Sequence, residues 1–243
     1  MSIIRNIPNT ITSMNLLCGV MGVIFSLEGH LETAFPLMLA GAVFDFCDGL
    51  SARLLKAYSP IGKELDSLSD LVTFGLLPSV MLYKSMRLAG CDAGLPWVCL
   101  VLVVFSALRL AKFNIDTRQE GDFLGLATPA SAMICGSLTY FMAQHPETGL
   151  ASMAGSAWLL PGLSLLLSLL MVSVIPMFGM KIGKGKKLLD GKRSVFLVLS
   201  AASILAVLLL GLNWSLAILL IFSIYLLENL LLWALRINDS KNQ

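Results

Sequence analysis

The stretch ETAFPLMLAGAVFDFCDGLSAR, Glu32–Arg53, decides the fold class of this 243-residue chain. Its first part is apolar for long enough to belong to a helix that crosses a lipid bilayer, yet Asp45 and Asp48 follow in the same run. A charged side chain at the centre of a membrane helix costs about 2.5–3.5 kcal/mol on insertion scales. Carboxylates in such a helix therefore need a partner that compensates their charge.

The composition of the whole chain is that of an integral membrane protein. Hydrophobic residues make up 57% and charged residues 13%, with a mean hydropathy of +0.84, whereas soluble domains carry about 25% charged residues. The net charge of +2 gives no indication of a nucleic-acid partner. The five cysteines form no CxxC pair and lie mostly in apolar runs, so we interpret them as small hydrophobic residues.

The apolar runs predict an all-α, polytopic membrane bundle that forms a single domain over residues 1–243. The eight predicted spans are roughly residues 10–28, 33–55, 67–87, 95–113, 126–144, 156–179, 194–211 and 214–234. All 17 Lys and Arg residues except Lys84 and Arg87 then fall on the side that holds both termini. Because basic residues favour the cytoplasmic side, we expect cytoplasmic termini in a cell (inner) membrane. A two-residue turn at Leu212–Asn213 must then reverse the chain between the last two spans.

Two neighbouring predicted helices each carry two carboxylates near their cytoplasmic ends. Asp45 and Asp48 are three residues apart, and Asp66 and Asp70 are four apart, so each pair shares one helix face. The nearby basic residues cannot easily neutralise four acids that converge from two helices, whereas one or two divalent cations can. Ligands that are all oxygen favour Mg²⁺ or Mn²⁺ over zinc.

Small and basic residues follow the first acidic pair. Gly49 and Ala52 leave a strip without bulky side chains, where a ligand can approach the backbone. Close helix–helix packing is the alternative explanation of the same two residues. Arg53 suits a phosphate oxygen through a bidentate contact, or it is a basic anchor on the cytoplasmic side.

Together these residues form the pattern Asp-x2-Asp-Gly-x2-Ala-Arg-x8-Gly-x3-Asp-x3-Asp. Its positions are Asp45, Asp48, Gly49, Ala52, Arg53, Gly62, Asp66 and Asp70. This pattern resembles the signature of the CDP-alcohol phosphatidyltransferase family, and the resemblance covers about residues 5–130. Members of that family transfer a phosphatidyl-type group from a CDP-linked lipid to an alcohol and release CMP, and the resemblance suggests a homodimer.

The resemblance also implies roles for individual residues. Asp45, Asp48, Asp66 and Asp70 would bind two Mg²⁺ or Mn²⁺ ions, and Asp70 would also be the base that activates the acceptor hydroxyl. The CDP group would lie against Gly49, Ala52 and Gly62, with Arg53 near its phosphates.

Pro8, Asn9 and Thr12 match a Pro-Asn-x2-Thr element of the family, so Asn9 and Thr12 would contact the CDP group. Alternatively, Asn9 or Thr10 caps the first helix.

The acceptor alcohol would be recognised after the fourth span. Arg109 and Lys112 lie on one helix face there, where their positive charges suit an acceptor that carries a carboxylate or a phosphate. Alternatively, they are basic residues that anchor the cytoplasmic end of the span. The run Arg109–Asn114, with the Phe-x-Gly-Leu element that follows, resembles the phosphatidylserine synthase branch. Lys112 and Ala127 stand where that branch has Arg and Pro. We therefore expect CDP-diacylglycerol and L-serine as substrates and Arg109, Lys112 and Asn114 near the acceptor; glycerol 3-phosphate, as in phosphatidylglycerophosphate synthesis, is the alternative.

Three further possibilities stay open at this point. The basic loop Lys181–Arg193 either attracts anionic lipid headgroups or serves only to orient the chain. Carboxylates in a membrane would also suit a cation transporter or channel, but that function does not account for the Gly, Ala and Arg at fixed offsets. A purely structural membrane protein would have no use for four such acids.

Overall fold

The computed structural model describes residues 6–91, 94–115, 123–154, 158–178 and 191–241. Helices account for nearly all of these residues. In chain order they are α1 (Ile7–Glu28), α2 (Leu31–Leu54), α3 (Pro60–Asp70), a π-helix (Leu71–Leu76), α4 (Leu77–Leu88), a 3₁₀-helix (Leu95–Leu100), α5 (Val101–Ile115), α6 (Thr128–Gln144), α7 (Gly149–Ala154), α8 (Leu159–Val172), α9 (Gly191–Leu209) and α10 (Trp214–Lys241). The predicted all-helical membrane fold is confirmed at this level.

A helix lies over each of the eight apolar runs. Five of the described helical segments are long and apolar enough to cross a membrane: Ile7–Glu28, Leu31–Leu54, Pro60–Leu88, Leu95–Ile115 and Trp214–Leu235. The segments Leu159–Val172 and Arg193–Leu209 are apolar but shorter, and α6 has 17 residues. The number of actual crossings therefore stays a prediction.

The first helix begins earlier than its apolar run indicates. Its N-cap is Asn6, without a side-chain hydrogen bond, and Pro8 stands in its first turn, where a missing backbone N–H costs nothing. Asn9 and Thr10 therefore lie inside α1, and the interpretation of either as the helix cap is wrong. The Thr10 hydroxyl donates instead to the backbone oxygen of Asn6 at 3.0 Å.

The segments α3, π-helix and α4 form one continuous helical rod, and α1 packs along it. The Ser69 hydroxyl donates to the backbone oxygen of Thr12 at 3.3 Å, and the Thr73 hydroxyl donates to that of Asn15 at 3.0 Å. A Cβ at Gly19 would collide with Thr73, so only glycine allows α1 to approach this closely. These contacts fix α1 against the part of the rod that follows Asp66.

The segment after α5 is attached to the end of α8. Phe123–Leu124 (β1) pairs antiparallel with Pro176–Met177 (β2), and the Leu126 N–H donates to the backbone oxygen of Leu170 at 3.0 Å. Gly125 has φ +77°, in the left-handed region that glycine adopts readily. These hydrogen bonds fix the backbone directly before Ala127, the residue that stands in place of a proline.

The last two described helices, α9 and α10, pack against each other as a hairpin. The chain reverses over residues 210–213, with Gly211 at φ +62° and the Leu212 N–H bonded to the backbone oxygen of Val207. The reversal is thus longer than the two residues that the sequence indicates. The Asn213 side chain accepts from the Ser215 N–H at 3.0 Å and so starts α10.

Two further expectations are tested only in part. All five cysteines are free, as expected for small hydrophobic residues. Most of the basic loop Lys181–Arg193, residues 181–190, lies outside the described residues, and so does Arg118.

Candidate active site

Three carboxylates from two helices converge near the turn between α2 and α3. Asp45, Asp48 and Asp66 each offer one oxygen, and these oxygens lie within 4.8 Å of one another. Asp45 and Asp48 share a face because they are one helical turn apart on α2, and α3 adds Asp66. When both members of a pair are ionised, such a separation gives a repulsion of about 4 kcal/mol at an effective dielectric constant of about 20.

The donor set fits a hard divalent cation. Asp48 is 6% exposed, and its Oδ2 atom is buried without a hydrogen-bond partner in the described part of the chain. Among the described residues, no lysine or arginine forms an ion pair with the three converging carboxylates. A cation bound by carboxylate oxygens would satisfy the unpaired Asp48 oxygen and remove the mutual repulsion, and oxygen ligands are those that Mg²⁺ and Mn²⁺ prefer.

Asp70 lies beside this group without being one of the three. Its carboxyl group is within hydrogen-bonding reach of that of Asp45, and the Asn15 amide donates to its Oδ1 atom at 3.4 Å. The π-helix begins at the next residue, Leu71, and π-turns inside α-helices are frequent at functional sites. Asp70 is therefore at the edge of the acidic cluster, with one carboxylate oxygen bound to α1.

A cavity of about 210 Å³ opens next to the three carboxylates. Five of the residues expected to contact the CDP group line it, together with two of the aspartates: Asn9, Thr12, Gly49, Ala52, Gly62, Asp48 and Asp66. The Thr12 side chain lies within hydrogen-bonding reach of Asp48, while its hydroxyl proton is directed to the backbone oxygen of Pro8 at 3.0 Å. The cavity thus joins α1, α2 and α3 at the end where the acids lie.

The two glycines of the motif have different surroundings. A Cβ at Gly49 would touch only the Arg53 side chain, at 3.7 Å, which is an ordinary contact. A Cβ at Gly62 would lie 2.9 Å from both Asn9 Oδ1 and Ser59 Oγ, which is too close. Close helix packing therefore accounts for Gly62 in part but not for Gly49, whose missing side chain leaves space in the cavity.

Arg53 does not line the cavity in this structure. Its Nε–H donates to the backbone oxygen of Gly49 at 2.9 Å, so the side chain folds back along α2. It is exposed, and its guanidinium lies against Gly49, which is itself part of the cavity wall. A contact between Arg53 and a phosphate stays a prediction and would require the side chain to turn.

Arg109 approaches the acidic cluster from α5. Its Nη1 donates to the Thr128 hydroxyl, at the start of α6, at 3.2 Å, and its guanidinium lies 5.3 Å from the Phe113 ring centroid. The guanidinium is also within electrostatic range of the Asp70 carboxylate. Of the three residues expected at the acceptor, Arg109 is the one within electrostatic range of an aspartate of the motif.

The other two acceptor candidates have different positions. The Asn114 amide donates to the Ser67 hydroxyl at 2.8 Å, and its backbone oxygen accepts from Lys63 Nζ at 2.9 Å. These bonds attach the end of α5 to α3. Lys112 is half-buried on the same helix as Arg109.

The structure adds site residues that the sequence pattern did not single out. Tyr58 and Ser59, in the turn between α2 and α3, line the cavity, as does Lys63. Ser59 is the N-cap of α3 and accepts from the Gly62 N–H at 3.0 Å. Of these additional residues, Asn15 could have been selected from the sequence, because a polar side chain within a membrane span is often functional.

The comparisons with known proteins agree with this geometry. The family model described as CDP-alcohol phosphatidyltransferase matches residues 5–237. The chain belongs to the CDP-alcohol phosphatidyltransferase family. The resemblance found in the sequence motif is confirmed, and the match extends well beyond residue 130.

Named relatives of this phosphatidyltransferase come from bacteria and archaea. A CDP-diacylglycerol--serine O-phosphatidyltransferase of Bacillus subtilis is 36% identical over 135 residues, which are 55% of this chain and 75% of that protein. The protein of the same name from Mycobacterium leprae is 36% identical over 179 residues, 70% of this chain and 57% of its own length. An archaetidylserine synthase of Methanothermobacter thermautotrophicus is 32% identical over 136 residues, 54% of this chain and 56% of that protein.

Replacing Gly49 and Gly62 separately by alanine should show which glycine leaves space for a ligand and which allows close helix packing. We expect Gly49→Ala to keep or raise the thermal stability of the transferase in detergent, because alanine favours a helix by about 1 kcal/mol over glycine. Its KM for the CDP-linked lipid should nevertheless rise by about tenfold or more, since about 1.4 kcal/mol of lost contact gives that factor. Gly162→Ala, which meets nothing within 4 Å, is the control.

Gly62→Ala should lower thermal stability as well as affinity, because its Cβ displaces Asn9. Melting curves and KM values of the three variants are the measurement. A Gly49→Ala variant with wild-type KM would show that the strip at Gly49 does not face the donor lipid.

Proposed function

We propose that this transferase moves the phosphatidyl group of CDP-diacylglycerol to the hydroxyl of L-serine, giving phosphatidylserine and CMP. The observation that carries the proposal is the cavity at the α2–α3 turn. It brings five residues expected at the CDP group next to two carboxylates of the acidic cluster. Membership of the family supports the reaction class, and the names of the relatives support serine.

The acidic cluster is proposed to bind two divalent cations, Mg²⁺ or Mn²⁺. The ligands would be Asp45, Asp48 and Asp66, with Asp70 completing the set from the edge. The unpaired Oδ2 atom of Asp48 supports this assignment. When bound, the cations offset the negative charge of the diphosphate and make CMP a better leaving group.

The chain's own groups then account for the transfer. The serine oxygen forms a bond to the phosphorus of the phosphatidyl group, and the bond from that phosphorus to the anhydride oxygen breaks, so that CMP leaves with the bonding electrons. Asp70, within hydrogen-bonding reach of the cluster, takes the hydroxyl proton. Asn9 and Thr12 line the space for the cytidine diphosphate, whose reactive end would meet the carboxylates.

Arg109 is proposed to bind the carboxylate of serine. Its fork of donors is suited to a carboxylate, and it lies within electrostatic range of the proposed base. A guanidinium would also attract the phosphate of glycerol 3-phosphate, so the charge alone does not separate the two acceptors. The naming of the relatives favours serine.

A cation transporter is less well supported than the enzyme. It would not explain why a cavity lined by Gly49, Ala52 and Gly62 adjoins the carboxylates. A structural protein would not require the unpaired buried oxygen of Asp48.

For the arrangement in the membrane, we propose the topology that the sequence predicts. Eight spans, cytoplasmic termini and a cytoplasmic active site in the cell (inner) membrane follow from the distribution of basic residues. CDP-diacylglycerol would then enter from the surrounding lipid. The homodimer that the family suggests and the attraction of the Lys181–Arg193 loop to anionic lipids stay predictions.

The reaction is tested by CMP release from purified protein in mixed micelles with CDP-diacylglycerol and Mn²⁺. We expect L-serine to stimulate release at least about tenfold over buffer, and EDTA to abolish it, because the cations compensate the diphosphate charge. Asp70→Asn should fold normally yet lower kcat by about 100-fold or more, as expected for loss of a general base.

A panel of serine, glycerol 3-phosphate, inositol and glycerol identifies the acceptor. Stimulation by glycerol 3-phosphate and not by serine would replace the proposed acceptor by the alternative. Cation flux into vesicles without any CMP release would favour the transporter.

Replacing Arg109 should weaken the binding of the acceptor more than the binding of the donor lipid. We expect Arg109→Gln to raise the KM for serine by about tenfold or more, since a hydrogen bond to a charged group contributes about 1.5–3 kcal/mol. Arg109→Lys, which keeps the charge but loses the fork, should show a smaller rise. The KM for CDP-diacylglycerol, measured on the same preparations, is the internal control. Equal increases for both substrates would contradict an acceptor role.

Reporter fusions test the proposed topology. Alkaline phosphatase joined after residue 91 or residue 213 should be active, because these turns would face the outside. Fusions after residue 57 or residue 243 should be inactive. An active fusion at residue 243 would contradict an even number of spans with a cytoplasmic N-terminus.

A further inference from the structure

Asn15 is a buried amide whose two polar groups differ in their contacts. The side chain is 0% exposed on α1, and its Nδ2 donates to Asp70 Oδ1 at 3.4 Å. Its Oδ1 atom is buried and has no hydrogen-bond partner in the described part of the chain. An unpaired buried carbonyl is costly, so an apolar side chain of the same size would serve packing alone better.

The backbone of Asn15 supports the same region. Its carbonyl oxygen accepts from the Thr73 hydroxyl at 3.0 Å, three residues after Asp70. One turn earlier on α1, the Thr12 carbonyl oxygen accepts from Ser69 at 3.3 Å. The residues directly before and shortly after Asp70 are thus bound to α1, which gives the Asn15 amide a fixed position relative to that carboxylate.

The other side of the amide faces α2. A Cβ at Gly41 would lie 2.9 Å from Asn15 Oδ1, so glycine is the residue that leaves room for the amide. Gly41 is one helical turn before Asp45. The amide therefore fills the space between the helix that carries Asp45 and the helix that carries Asp70.

Two ionised carboxylates cannot hydrogen-bond to each other, so Asp45, although within hydrogen-bonding reach, does not orient an ionised Asp70. The Asp45 carboxylate repels it when both are ionised, and Arg109 attracts it without a hydrogen bond. Within the described ranges, the Asn15 amide is the side chain that donates a hydrogen bond to this carboxylate. A hydrogen bond has a preferred direction, whereas a Coulomb attraction has almost none.

We propose that Asn15 is a positioning residue for Asp70. Its amide binds Oδ1 and so leaves Oδ2 to accept the proton of the acceptor hydroxyl. The proposal rests on the proposed function, in which Asp70 is the base. Asn15 would act through Asp70 and contact neither substrate.

The test is Asn15→Leu, which keeps the size of the side chain and removes the donor. We expect kcat for CMP release to fall at least about tenfold at saturating Mn²⁺, CDP-diacylglycerol and serine, the loss expected for one charge-assisted hydrogen bond. The KM for CDP-diacylglycerol should stay within about twofold, because the contact concerns only Asp70, which does not line the cavity. The melting temperature should be unchanged or higher, since a half-satisfied buried amide has been removed.

Two controls distinguish positioning from packing. Ser26→Ala removes a buried hydroxyl that has no described partner from the same helix, and it should leave kcat unchanged. Thr73→Val removes the hydrogen bond to the Asn15 backbone but keeps the amide, so it should lower the melting temperature more than kcat. If Asn15→Leu does not insert, Asn15→Asp offers the same size without a donor to an ionised carboxylate.

The outcomes separate this inference from the proposed function. Wild-type protein that releases no CMP with any acceptor overturns the proposed function. An active wild type together with unchanged kcat in Asn15→Leu overturns the positioning role alone. A kcat that falls only in parallel with the melting temperature and with a rising KM for CDP-diacylglycerol would show that Asn15 has a structural role.

Discussion

The mutual repulsion of carboxylates from α2 and α3 is the constraint on which the rest of this structure depends. Asp45, Asp48 and Asp66 bring oxygens within 4.8 Å of one another inside a chain built for a low-dielectric environment. Helix packing has to hold these groups together against that repulsion. The surrounding structure is therefore best understood as a support for an unfavourable arrangement of charges.

The support comes mainly from α1. Buried hydroxyl groups of Ser69 and Thr73 bind backbone oxygens of α1, and glycine at residue 19 allows the close approach. Such bonds are useful in a membrane, where lipid offers no competing donor or acceptor. The same helix contributes Asn9 and Thr12 to the cavity and Asn15 to Asp70. One helix thus links the cavity to Asp70, the proposed base.

Arg109, the residue proposed to bind the acceptor, is held by a different set of helices. Arg109 is held by Thr128 at the start of α6, and the segment before Thr128 is attached to the end of α8 through Leu126 and Leu170. Helices far along the chain therefore determine where the guanidinium lies. The proposed donor and acceptor sides therefore depend on different helices.

The sequence by itself determined the fold class, the family and the acidic residues, because hydropathy and the fixed spacing of Asp45, Gly49 and Asp66 are local properties of the chain. It could not determine which small residues serve packing and which leave space: Gly62 lies against Asn9, whereas Gly49 borders the cavity. Nor could it show that Asn114 binds Ser67. These distinctions depend on how helices distant in sequence approach one another, and only the tertiary structure decides that.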